Sequence, residues 1–144
     1  MVSYLQPELP PIAMTERDCE RLVRLAAAAA EKYPATADFL ACEIERAHIL
    51  SEVEALPGLV IMGSEVEFRD DISGQTRRAT LVYPDEADVA TGKISVLTPI
   101  GAALIGLSVS QSIEFRTPGG ERRSLTVLAV RNSGSSGDVL RAAE

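Results

Sequence analysis

The stretch Tyr83–Gly106, Y-P-D-E-A-D-V-A-T-G-K-I-S-V-L-T-P-I-G-A-A-L-I-G, decides how the rest of the chain is read. Proline disfavours helical geometry in the residue before it, so Tyr83-Pro84 ends a strand. Asp85, Glu86 and Asp88 follow where a helical turn can begin, their carboxylates beside its exposed N–H groups. Gly92 permits the chain to reverse into a short strand, Ile94–Leu97. Thr98-Pro99 combines a hydroxyl cap with a proline in the first helical position. Gly101, Ala102 and Ala103 make that helix thin enough to lie close against a sheet, and Gly106 stops it.

On either side the residues alternate as strands do. Glu65–Arg69 reads as a half-exposed strand, Ile72–Gln75 as a turn, and Arg77–Tyr83 as the returning strand. Ser112–Arg116 alternates again. Thr117-Pro118-Gly119-Gly120 reads as a type II turn, with proline at the first corner and glycine at the second, and Ser124–Val130 closes the sheet. Asn132–Gly137, N-S-G-S-S-G, has too little apolar content to order itself and reads as a flexible tail.

Upstream the period is helical. Residues 1–13 carry Pro7, Pro10 and Pro11 and read as an extended arm. Thr15-Glu16-Arg17-Asp18 has the form of a capping box with Asp in place of Glu. Leu22, Leu25, Ala26, Ala29 and Tyr33 form one apolar stripe, which Pro34 ends. A second helix is expected from Thr36 or Asp38 to about Ala55, stopped by Leu56-Pro57-Gly58. Two such helices lie antiparallel as a hairpin about 30 Å long, with Cys19 near its base and Cys42 nearer its tip.

The expected fold is therefore α+β. An N-terminal antiparallel helical hairpin, a short coiled coil, precedes a small antiparallel β-sheet domain carrying one short helix. The expected boundaries are 1–57 for arm and hairpin, 58–131 for the sheet domain and 132–144 for the tail.

The central stretch resembles the C-terminal domain of the bacterial transcript-cleavage factors of the GreA/GreB family. The matches are Glu86-Ala87-Asp88, Gly92, Ile94-Ser95, Pro99, Gly101, Ala103-Leu104 and Gly106, within a resemblance that spans roughly residues 58–131. Leu81–Pro84 and Pro99–Gly106 are most similar to the Rnk branch, regulators of nucleoside diphosphate kinase. The resemblance implies an FKBP-like sheet domain and RNA polymerase as partner, bound near the secondary-channel entrance. It also implies docking through Glu86, Asp88, Thr98, Pro99 and Ile100, around the loop that opens the small helix. Nucleoside diphosphate kinase is the alternative partner that the branch name implies.

Two departures from the Gre pattern matter. Gre factors carry a D-x-x-E pair at the tip of a longer coiled coil, where it helps hold a second magnesium. Here the tip, Glu31–Asp38, has no such pair, and Phe39, Leu40 and Ala41 follow Asp38. A lone carboxylate does not supply the paired ligands of a two-metal mechanism, so a non-catalytic regulator that competes with Gre factors without stimulating cleavage is expected. Leu97-Thr98-Pro99 also stands where Gre factors often have Asp-Ser-Pro, which exchanges an acid for an apolar residue.

Composition narrows the remaining classes. The net charge of −7 over 144 residues argues against direct DNA or RNA binding. Residues 1–57 hold ten acids and five bases, against nine and eight in 58–131, so the front is the acidic half. No signal peptide and no run of about 20 apolar residues is read, and two cysteines without framework spacing suit a reducing compartment, the cytoplasm.

No cofactor, metal site or catalytic set is expected. Asp85–Asp88 spells a helicase box without any phosphate-cradling G-x-x-x-x-G-K-[ST], and its carboxylates read as caps. His48, the only histidine, reads as a structural or surface residue inside the second helix. Cys19 and Cys42 read as buried or semi-buried packing residues. Arg77-Arg78 and Arg122-Arg123 read as the solvated side of strands, with nearby acids cancelling their field. An FKBP-like prolyl isomerase pocket wants aromatics, and three Phe, three Tyr and no Trp speak against one.

Overall fold

The computed structural model describes residues 9–51, 57–117 and 119–132, and the backbone of 139–141. A first strand, β1 (Ala13–Thr15), leads into helix α1 (Glu16–Ala29). Thr15 caps α1 as its sequence predicts, its hydroxyl accepting from the Asp18 N–H at 3.2 Å. Helix α2 (Pro34–Arg46) returns antiparallel, with Pro34 opening it rather than ending α1. At 13 and 14 residues the helices are about 20 Å long, two-thirds of the expected length.

The second helix stops at Arg46 because the chain turns extended at Ala47 and pairs with β1. Strand β2 (His48–Leu50) runs parallel to it, with Ala13 opposite His48 and Thr15 opposite Leu50. The Arg46 guanidinium fixes this corner, bonding the Glu43 carboxylate at 2.7 Å and the Pro10 carbonyl. His48 thus lies in a strand, and the expected continuation towards Ala55 fails by Ala47. Cys42 sits one turn from the base of the hairpin, not near its tip, and is exposed rather than packed; Cys19 is half-buried and both thiols are free.

The main sheet comprises β3 (Glu65–Asp70), β4 (Thr76–Val82), β5 (Lys93–Ser95), β6 (Ser112–Arg116), β7 (Arg122–Arg131) and β8 (Val139–Arg141). Its order is β5-β4-β3-β7-β6, with β8 on the far end of β7. All pairings are antiparallel except β4 with β5. Alternation works as expected: Val66 and Phe68, Ile113 and Phe115, and Leu125 and Val127 face inward. Between β6 and β7 the left-handed φ falls on Gly120, at 86°, and not on Gly119 as a type II turn requires. The expected tail is partly ordered. Asn132 donates to the Leu59 carbonyl at 3.1 Å and Val139–Arg141 adds a strand; the remaining expected tail, 133–138 and 142–144, lies outside the described residues, as do residues 1–8 of the arm and 52–56.

Hairpin and sheet share one core. Leu22, Ala26, Leu40 and Ile44 of the hairpin cluster with Val60, Phe68, Leu81, Leu104 and Val127. Asp18, buried in the first turn of α1, accepts the Met62 N–H at 3.0 Å and joins the two parts by a charge-assisted bond.

Candidate functional site

The stretch Tyr83–Gly106 folds much as its residues dictate. Pro84–Glu86 and Val89–Thr91 are single 3₁₀ turns, separated by Ala87-Asp88. Asp88 is the hinge of this loop: its carboxylate accepts from the Ala90 N–H at 3.0 Å. Its backbone exchanges two hydrogen bonds with Lys93. Gly92, at φ 76°, makes the reversal into β5. Asp85, Glu86 and Asp88 are all exposed, so the carboxylates shape the loop and still face water.

Helix α3 (Pro99–Leu104) begins at a tight corner on Ser95. The Ser95 carbonyl accepts from the Thr98 hydroxyl at 2.7 Å and the Thr98 N–H at 3.1 Å. The Thr98 hydroxyl oxygen also accepts from the Gly101 N–H at 3.0 Å. Thr98 is therefore occupied inside the fold, while Pro99 and Ile100 are half-buried. Thr98→Ala is expected to cost about 1 kcal/mol through the lost cap, seen as a lower urea midpoint.

The five residues expected to dock come from two places in the fold, Glu86 and Asp88 from the loop before β5 and Thr98, Pro99 and Ile100 from the start of α3. Glu86 lines a cleft against α1, whereas Ile100 lines a narrow crevice beside Phe68 and Phe115. That crevice encloses only about 10 Å³, at the limit for one water molecule. Val89, in the acidic loop, is 95% exposed and was not singled out by the sequence reading. The one local sign of it is an apolar residue directly after Asp88 with no apolar partner at helix spacing.

The cleft beneath the loop holds about 930 Å³. Arg17, Arg21 and Arg24, one helical face of α1, form one wall, and Asp85 and Glu86 stand on the other. The Arg21 guanidinium lies 5.5 Å from the Tyr83 ring centre. The buried Tyr83 hydroxyl has no hydrogen-bond partner of good geometry. Burial, reinforced by Asp18, pushes its phenol up against the opposing pull of Arg21. Nothing in the sequence order brings this helix face to Tyr83; only the tertiary fold does.

Other candidate groups are accounted for locally. Arg123 pairs with Asp70 at 3.1 Å, Arg78 with Glu67 at 3.7 Å, and Arg77 covers the Phe68 ring. Burial pushes the Cys42 thiol up, and Asp38, Glu45 and Glu43 push it further, the opposite of an activated nucleophile. Among the described residues no three His, Cys, Asp or Glu side chains gather to hold a metal ion. No helix of those residues is long and apolar enough to cross a membrane.

Comparison with known proteins gives a consistent picture. The family model described as transcription elongation factor, GreA/GreB, C-term, matches residues 55–132, and the Rnk N-terminus model matches residues 10–50. The regulator of nucleoside diphosphate kinase of Escherichia coli K12 is 39% identical over 83% of this chain and 88% of its own length. Transcription elongation factor GreA of Syntrophobacter fumaroxidans is 44% identical over 52% of this chain, and the match spans about half of that protein, 47%. A solved GreA/GreB structure from Nitrosomonas europaea superposes with a TM-score of 0.66 at 36% identity, covering 84% of this chain and 98% of that one.

Proposed function

The chain belongs to the GreA/GreB family, with an Rnk-type N-terminus, and on that premise we propose that it is a non-catalytic transcription regulator. It binds RNA polymerase near the secondary-channel entrance and competes there with Gre factors without stimulating transcript cleavage. The observation that carries this reading is the hairpin tip. Helix α1 ends at Ala29 and α2 starts at Pro34, so the tip is a four-residue turn with Glu31 as its one acid. Two helices of about 20 Å end there, with no carboxylate pair to hold a second metal ion.

Docking runs through the loop of Glu86 and Asp88 and the corner of Thr98, Pro99 and Ile100. Val89 supplies the apolar contact that a purely acidic loop lacks. An exposed valine that follows three exposed carboxylates in one loop fits a basic partner surface with a small apolar pocket. The exposed residues meet the partner, while Thr98 holds the corner in shape.

The test is binding of the purified chain to core RNA polymerase with a Gre factor as competitor. Saturable binding that the Gre factor displaces, with no cleavage of a stalled transcript, is the expected result. The double variant Glu86→Lys, Val89→Asp should bind at least about tenfold more weakly, since it reverses one charge and removes the apolar anchor. Unchanged binding by that variant would remove the loop from the interface. Absence of binding at micromolar concentration would reject the polymerase reading. A second reading, regulation of nucleoside diphosphate kinase, is favoured by the name of the Escherichia coli relative. It gains if purified kinase binds the chain and polymerase does not.

A further inference from the structure

The cleft between α1 and the end of β4 has opposite charges on its two walls. Arg21 and Arg24 form no ion pair among the described residues, and neither do Asp85 and Glu86. All four are exposed, so their charges are available in a cleft of about 930 Å³, within the size range of ligand sites. Its floor is apolar, with Leu81 and Val82 buried beneath it. Tyr83 adds a buried hydroxyl with no hydrogen-bond partner of good geometry, and such a group is costly to leave unsatisfied. The Arg21 guanidinium lies over the Tyr83 ring, 5.5 Å from its centre, on an exposed and long side chain.

We propose that this cleft binds a small phosphate monoester, with the phosphate between Arg21, Arg24 and the Tyr83 hydroxyl and an uncharged or cationic body over the apolar floor. Two unpaired guanidinium groups match a dianion in charge and donate paired hydrogen bonds to its oxygens. As Arg21 swings to the phosphate it uncovers Tyr83, whose O–H then donates to the same group. Asp85 and Glu86 set the specificity: they repel a second anionic group at the far wall and attract a cation there. A polyphosphate is disfavoured for that reason. The proposal shares Glu86 with the loop but does not rest on that loop's docking role.

The test is a titration of the full chain with phenyl phosphate at low ionic strength, followed by amide and side-chain NMR shifts. Saturable shifts confined to Arg21, Arg24, Val82 and Tyr83 are expected, with inorganic triphosphate binding more weakly. Arg21→Gln and Arg24→Gln, both exposed changes, should each weaken binding about tenfold. Tyr83→Phe should weaken it severalfold while leaving the fold intact, because it only removes the hydroxyl. Shifts that fail to saturate, that centre on other arginines, or that persist unchanged in the Arg21→Gln, Arg24→Gln double variant would overturn the proposal. Tighter binding of triphosphate than of phenyl phosphate would overturn the assigned ligand class.

Discussion

Gly101→Ala is expected to destabilise the protein by about 3 kcal/mol or more, the upper range for overpacking a tight interior. A Cβ at this position would lie 2.1 Å from the Ser95 carbonyl oxygen and 2.9 Å from the Ser95 carbonyl carbon and the Val96 Cα. All three atoms are backbone, so no side-chain rotation relieves the clash. The same carbonyl accepts both bonds from Thr98 that start α3. Moving it would loosen the helix start and the end of β5 together. The measurement is a urea unfolding curve beside that of Gly74→Ala. Gly74 has nothing within 4 Å of its would-be Cβ, but its φ of 78° strains any L residue, so its substitution should cost only about 1–2 kcal/mol. Equal losses for the two variants would show that close approach is not what position 101 requires.

That glycine also shows why the centre of the chain was legible. Tyr83–Gly106 is built from local rules: a cap at Thr98, a first-turn proline, a reversal at Gly92 and small residues where a helix touches a sheet. Each acts within a few residues, and each was readable without the fold. The end of α2 was not. The helical spacing continues through Ala47 to Leu50, and nothing nearby says that His48–Leu50 will pair with Ala13–Thr15 more than thirty residues away. A three-residue parallel ladder leaves no local signature, so tertiary pairing overrode the helical period. Misplacing that end also misplaced His48 and Cys42. The candidate site divides in the same way. Glu86, Asp88, Thr98 and Pro99 came from a contiguous motif, whereas the wall of Arg21 and Arg24 depends on how α1 packs beside Tyr83. Val89 fell between the two, since exposure is a property of the folded surface.

Leu40→Ala is expected to cost about 3 kcal/mol, and the loss should appear in the whole molecule rather than in the hairpin alone. Leu40 is fully buried in α2, and deleting its side chain removes transfer energy and leaves a cavity. Were the hairpin an independent unit, the helices would open while the sheet kept its stability. The packing argues otherwise. Leu22, Leu40 and Ile44 belong to the same cluster as Phe68, Leu104 and Val127, and Phe39 stacks on Phe115 of β6 with ring centres 6.3 Å apart. The Asp18 bond to the Met62 N–H and the Ala13 N–H bond to the Gly106 carbonyl, 3.1 Å, cross the same boundary. Two helices of 13 and 14 residues are also too short to be stable without tertiary contacts. Amide exchange on the variant should therefore show the central sheet amides of Val66, Phe68 and Val127 losing protection in step with those of α2. Wild-type protection in the sheet beside an opened hairpin would mean that the shared core does not couple them. In that event the hairpin could move on a fixed sheet domain, and its tip would no longer sit at a set distance from the loop of Glu86 and Asp88.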